Sequence, residues 1–236
     1  MPMLQEMDAT GHSANTAEFD QRTPQDIPAT NKNPNTIRVK RALDIFGAMV
    51  ALVFFAPVMS IIYIVLMFTG GKPVFAHRRV GQNGGLFPCY KFRSMVRNSD
   101  EVFTDYLERN PAAREEWDYT CKLTYDPRVT GFGMFLRRSS LDELPQLFNV
   151  LKGDMSLVGP RPILPEEIER YCGRIRAYYQ CTPGITGLWQ VSGRNDLDYD
   201  LRVRLDALYA RKRCTRLDMI ILIRTVRVVL SGRGAR

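Results

Sequence analysis

The sequence predicts an α+β protein, rich in helix, with a small β-hairpin and one apolar helix near its N-terminus. Three observations predict this class. Between Asp44 and the glycines at 70 and 71 lie about 25 uncharged, mostly apolar residues, enough for a helix to reach across a bilayer. The stretches PVFAHRRVG and LFPCYKFRSMV flank the turn signal QNGG, as the arms of a hairpin would. Beyond residue 98, polar and charge-laced segments with helical spacing dominate.

Each element follows in order. Residues 1–36, rich in Asn, Thr, Gln, Asp and Pro, read as a disordered tail. The apolar run of the next segment, 37–71, stands too far from the N-terminus for a signal peptide, and no small-residue cleavage site follows it. Pro57, at its middle, removes a backbone donor and predicts a bend. Basic residues flank both ends: Arg38, Lys40 and Arg41 before it, Lys72, Arg78 and Arg79 after it. Positive clusters favour the cytoplasmic side, so a bent helix that leaves by the face it entered keeps both inside. A kinked spanning helix stays open, since membrane helices tolerate proline; so does a buried helix of a soluble core. From residue 72 to 236 the chain reads as the globular part. After the hairpin come a polar helix over 99–118 and a loop, DPRVTGFG, in which Gly131-x-Gly133 reads as flexible. A short helix spans Leu141 to Leu151, ended by Lys152-Gly153. GPRPILPEE leads into a helix reaching about residue 180, and TPGITGLWQVSGRND reads as loop with a type II turn at Pro183-Gly184. Helices over 197–213 and 214–230 close the chain. In the last, Arg216, Arg224 and Arg227 fall within roughly a quarter-turn and apolar residues cover the rest. That suits a helix on a membrane surface and a buried helix equally.

Composition narrows the function. A mean hydropathy of −0.21 excludes a multi-span membrane protein, and 45% hydrophobic residues suffice for a core. The formal charge of +8 asks for an anionic partner: nucleic acid, phospholipid headgroups or a phosphorylated substrate. Five cysteines (Cys89, Cys121, Cys172, Cys181 and Cys214), odd in number and without a C-x-x-C pair, argue against disulfides or zinc and fit a reducing compartment. Histidine occurs only at 12 and 77, so any acid, base or nucleophile falls to a carboxylate.

The candidate carboxylates are Asp142 and Glu143 in RRSSLDELPQ. Ser140 and Glu143 match a capping box, in which each side chain would satisfy the other's amide. Pro145 strains that reading. The alternative rests on the cations nearby: Arg137 and Arg138 just upstream, Lys91 and Arg93 of KFRSM, and Arg161 between Pro160 and Pro162. Lys91 and Arg93, two apart, would share one face of a strand. The prolines stiffen the backbone at Arg161, whose planar fork suits phosphate oxygens. Cations gathered about two carboxylates make sense where a phosphate and a divalent metal meet. Neighbouring helical side chains diverge by about 100°, so the two acids would divide the work: one attacks, the other holds a metal or orients the attacker.

The ordered set KRALD…P…GGKPVFAHRRVGQNGGLFPCYKFRSM, DPRVTGFGMFLRRSSLDELPQLFNVLKGDMSLVGPRP and TPGITGLWQVSGRN resembles the bacterial sugar transferases, or monotopic phosphoglycosyl transferases, over residues 38–236. The short form is similar to their exopolysaccharide-initiating galactosyl-phosphate transferases. The resemblance implies a monotopic membrane protein with a re-entrant helix broken at Pro57, surface amphipathic helices, and a catalytic domain on the cytoplasmic face of the bacterial inner membrane. It implies Asp142 as nucleophile, Asp142 and Glu143 as Mg²⁺ site, and Arg161 at the substrate phosphate, where the charge reading adds Lys91, Arg93 and Arg138. Lys40 and Arg41 would meet the headgroups of inner-membrane phospholipids. The implied reaction moves a sugar-1-phosphate, galactose first and glucose or an N-acetylhexosamine as alternatives, from a UDP-sugar to undecaprenyl phosphate, releasing UMP. The family break is a Ser-Pro, and Ala56 replaces the serine here. Asp206 and Asp218 match family acidic positions, but surface salt bridges explain them as well. Trp189 is open between a site residue and core. A homo-oligomer is left open too.

Two rival functions belong to other classes. A non-catalytic membrane adaptor would use the basic surface to hold anionic lipid. A nucleic-acid binder would need a recognition helix or a stacking surface, and the sequence offers neither.

Overall fold

The computed structural model describes residues 34–120, 123–194 and 197–231; of the tail expected over 1–36, all but the last three residues lie outside them. Helix α1, Pro34–Phe68, carries the apolar run and continues without interruption past Pro57. In so long a helix the neighbouring turns keep their bonds, so one missing donor does not break it. It stops at Gly70 and Gly71, whose φ values of 71° and 86° place them in the left-handed region that glycine enters freely.

Both ends of α1 are tied to the globular part. Near its start, Arg41 donates to the carbonyls of Val150 and Leu151 at 2.6 and 2.8 Å, and Asp44 accepts from Leu157 N at 3.1 Å. Ala48 is buried against Phe87, Leu147, Val150 and Met155. Near its end, Ile62 and Leu66 are buried with Phe92 and Leu136. Between them Ala51, Leu52 and Met59 still pack on the body, but the opposite face is bare: Val53 is 78% and Phe54 74% exposed. By length and composition α1 could cross a membrane, and exposed apolar surface of this extent marks association with one.

Strands β1, Val74–Val80, and β2, Leu86–Phe92, form the expected antiparallel hairpin, with Val74 opposite Phe92 and Val80 opposite Leu86. Its turn uses Asn83 at φ 59° and Gly84 at φ 82°. The polar helix expected over 99–118 is two helices, α2 (Ser99–Arg109) and α3 (Pro111–Thr120). Pro111 disfavours helical geometry at Asn110 and starts the next helix at its first position.

The glycines at 131 and 133 are not loop. They open α4, Gly131–Arg138, whose first turn is capped by Thr130 Oγ1 accepting from Gly133 N at 2.9 Å. A Cβ on Gly133 would lie 1.9 Å from the Ser94 carbonyl oxygen, so the glycine exists for close approach, not flexibility.

The helix expected over Leu141–Leu151 divides into a 3-10 turn, Leu141–Glu143, and α5, Gln146–Lys152, which ends at Gly153 with φ 98°. TPGIT also departs from expectation. Gly184–Thr186 is a strand, β4, parallel to β3 (Ser156–Val158). Gly184 has no positive φ, so no type II turn forms; a Cβ there would lie 2.0 Å from Gly159 N. Three residues are too short for an alternation to register, and two backbones touching require glycine.

Between β3 and β4 the expected helix to residue 180 is 3-10 turns over Pro165–Glu167 and Glu169–Arg174, then α6, Ile175–Tyr179. Cys172, at φ 47°, interrupts it. Helices α7 (Tyr199–Lys212) and α8 (Thr215–Ser231) follow, the former capped by Asp198. On α8, Leu217 and Ile221 are buried while Met219, Ile223 and Val226 are exposed. One apolar face thus packs on the body, and a second lies open beside the arginines.

Candidate functional site

The 3-10 turn holds the two acids because the chain turns sharply before it. Ser140 sits at φ 57° and makes no side-chain cap, which corrects the capping-box reading. Glu143 instead accepts from Lys91 Nζ at 2.7 Å, and the same ammonium lies 3.7 Å from Asp142 Oδ2. A lysine of β2 therefore bridges both carboxylates. Its register is locked from behind by Asn149 of α5, fully buried, whose amide accepts from Tyr90 N at 3.0 Å and donates to Pro88 O at 2.7 Å. The side chain acts as a further strand on the free edge of β2.

Lys91, Glu143, Arg79, Gln146, Arg161 and Gln190 line a cleft of about 270 Å³, with Gly184 and Ile185 of β4 in its wall. Asp142 is 7% exposed and is not among the lining residues. Burial lifts its pKa to about 6, with Glu143 pushing the same way against Lys91 and Arg137. Burial also works to raise Glu143, but Lys91, Arg161 and Arg79 outweigh it and hold that carboxyl below its usual range. Two adjacent acids thus differ: one is ionised throughout, the other titrates within the physiological region.

Arg161 is held as its prolines suggest. Gly184 N donates to Pro160 O at 2.8 Å, Val80 N to Ile163 O at 2.9 Å, and Arg79 to Pro162 O at 3.3 Å. The other expected phosphate ligands lie elsewhere. Arg93 follows the end of β2, and its guanidinium donates to Leu66 O, Gly70 O and Thr69 Oγ1, closing the C-terminus of α1. Strand alternation with Lys91 ends with the strand. Arg138 points outward; its neighbour Arg137, about 100° round α4, donates to Ser94 Oγ at 2.8 Å and acts on Asp142. Lys40 donates to Val158 O at 3.0 Å and to Asp218 Oδ2 at 2.9 Å. With Arg41 it fastens α1 to the body, so internal bonds account for both.

Asp206 and Asp218 are not surface residues. Asp218 pairs with Lys40 and accepts from Tyr209 OH at 2.8 Å. Asp206, 1% exposed, accepts from Tyr171 OH at 2.8 Å. Burial raises it to about 8, against that bond and the Arg161 charge. Trp189 is 4% exposed, with the Arg202 guanidinium 4.9 Å and that of Arg161 5.9 Å from its ring. It is core that buttresses the site.

As hard oxygen donors, Asp142 and Glu143 fit a Mg²⁺ ion, which takes one or two carboxylates and completes its shell with phosphate oxygens and water. Among the described residues no larger cluster of acids, cysteines and histidines forms.

A family model described as bacterial sugar transferase matches residues 35–232. The chain belongs to the bacterial sugar transferase family. Within curated members of this family, an undecaprenyl-phosphate galactose phosphotransferase of Salmonella typhimurium is 52% identical over 197 residues, 84% of this chain and 41% of that protein. This chain thus spans about two-fifths of that relative's length. An exopolysaccharide production protein, ExoY, of Sinorhizobium fredii is 42% identical over 97% of this chain and its own whole length. An undecaprenyl-phosphate glucose phosphotransferase of Komagataeibacter xylinus is 37% identical over 83% of this chain and 36% of its own.

Sequence reasoning on this bacterial sugar transferase counted Arg137 among the nearby cations but missed Arg79, Gln146 and Gln190 as site residues. The hairpin register could have found Arg79, since it stands opposite Phe87 on the face of Cys89 and Lys91. Gln190 carries no such signal, yet its Oε1 is buried without a partner, a state that costs roughly 1–3 kcal/mol.

Proposed function

We propose that the protein transfers a sugar-1-phosphate from a UDP-sugar to undecaprenyl phosphate, through a covalent intermediate on Asp142. The observation that carries this reading is the pairing of Asp142 with Lys91 beside a cleft walled by Arg79 and Arg161. The diphosphate of a UDP-sugar enters this cleft and takes the guanidinium and ammonium groups as partners. Lys91 is drawn toward the phosphates, which leaves the Asp142 carboxylate less paired and more nucleophilic.

One Asp142 oxygen attacks the β-phosphorus, and the bond from that phosphorus to the α,β-bridging oxygen breaks. UMP departs with the electron pair on that oxygen, leaving the hexosyl phosphate as an acyl phosphate on Asp142. A phosphate oxygen of undecaprenyl phosphate then attacks the same phosphorus. The carboxylate leaves, and undecaprenyl-diphosphate-sugar forms. Glu143, held ionised, orients the reacting groups, and Arg79 and Arg161 offset charge on the transferring phosphoryl group. A Mg²⁺ held by Asp142 and Glu143 would neutralise further phosphate charge.

Membrane attachment follows from α1. A straight crossing would carry one end of the helix to the far side of the bilayer. Yet Lys40, Arg41 and Asp44 at one end and Ile62 and Leu66 at the other all contact one globular body. Re-entry from the cytoplasmic face of the inner membrane, with the bilayer covering Val53 and Phe54, accounts for both docked ends. The donor sugar is galactose, on the strength of the Salmonella relative's name. A UMP-release screen with undecaprenyl phosphate and UDP-galactose, UDP-glucose, UDP-N-acetylglucosamine or UDP-N-acetylgalactosamine tests the reading. Turnover highest with UDP-galactose is expected; no UMP from any of the four overturns it.

A further inference from the structure

We propose that Gln190 accepts a hydrogen bond from a hydroxyl of the donor hexose, and so is a specificity-determining residue for the transfer proposed above, on which this rests. Its Oε1 is the one cleft-lining side-chain atom among the described residues that is buried and unpartnered. The side chain is not adrift. Trp189, immediately before it, is buried beneath the Arg202 guanidinium, and the following turn closes through Ser192 N to Trp189 O at 3.1 Å and Val191 N to Gly187 O at 3.3 Å. Oε1 itself rests against Gly187, where a Cβ would stand 2.7 Å from it, so the glycine leaves the room that this oxygen occupies. The acceptor is thus held in place while nothing in the protein uses it.

The chemistry of the missing partner is restricted. An amide oxygen only accepts, and ionised phosphate oxygens only accept, so the diphosphate cannot satisfy it. A UDP-sugar offers donors of two kinds, the imide N–H of uracil and the hydroxyls of its sugars. A hydroxyl donates and accepts, so it satisfies either end of the amide. Location selects the hexose. Gln190 lines the same cleft as Lys91 and Glu143. With the β-phosphate beside Lys91, the hexose bonded directly to it is the nearest source of hydroxyls, whereas uridine stands one phosphate further off.

The test uses two nearly isosteric substitutions that remove the amide, Gln190→Met and Gln190→Leu, in the full chain in detergent or nanodiscs. Affinity for UMP and for UDP-galactose is measured by titration, and KM and kcat by UMP release with UDP-galactose and UDP-glucose. The expected result is unchanged UMP affinity, UDP-galactose binding weaker by about ten- to hundredfold, and a galactose-to-glucose preference moved toward one. Equal weakening for UMP and UDP-galactose would assign Gln190 to the nucleotide or to the fold and overturn the proposal. Unchanged affinity for both would overturn it as well. In each of those cases the unaltered protein still releases UMP; failure of the unaltered protein with every donor would instead sink the transfer reading itself.

Discussion

At the scale of the residue, the two acids of LDELPQ have different environments. Asp142 is buried with its pKa raised to about 6, while three cations hold Glu143 low. The nucleophile must be ionised, so kcat/KM should fall as pH drops through about 6, tenfold per unit once well below it. Because Lys91 lowers the Asp142 pKa, Lys91→Met should move this acid limb to higher pH as well as reduce the rate; a limb that stays put would show another group titrating. Prolines and neighbouring charges are local signals; they singled out the two acids and Arg161, and Glu143 and Arg161 do line one cleft. Sequence reasoning misassigned Arg93 and Arg138 because strand ends and helix phase decide which of two adjacent cations faces inward, and neither is written in a dipeptide.

Elements position these groups through a few buried polar contacts. Asn149 satisfies the edge of β2 with both ends of its amide. Asn149→Ala leaves a buried N–H and C=O unpaired and should destabilise the protein by on the order of 3 kcal/mol, read as a shift in the denaturation midpoint. Asp206 gives α7 a pH dependence. Its folded pKa of about 8 exceeds the ordinary 3.8, so the folded protein retains a proton that the unfolded chain has lost. The contribution of Asp206 to stability should therefore be full below about pH 4 and be lost as pH rises to about 8, and Asp206→Asn should remove that component of the slope in thermal melts across this range. Periodicity made the long helices readable, but not β3 and β4, whose pairing depends on two glycine backbones in contact, or the break between α2 and α3, signalled only by Asn-Pro.

Over the described residues from Pro34 onward, a globular body clasps an apolar helix at both ends. Re-entry predicts that cysteines placed at Arg38 and Lys72 react with an impermeant maleimide only from the cytoplasmic side of inner-membrane vesicles. Labelling of the two from opposite faces would establish a spanning helix. Basic residues at both flanks suggested this topology, whereas the internal partners of Lys40 and Arg41 needed the fold, because they lie more than a hundred residues away. The most direct measurement of the account is mass analysis after incubation with UDP-galactose in the absence of lipid acceptor. A hexosyl-phosphate adduct on the peptide bearing Asp142, absent from Asp142→Asn and discharged by undecaprenyl phosphate, is the expected result; an adduct that persists in Asp142→Asn, or UMP release at full rate from that variant, would contradict it.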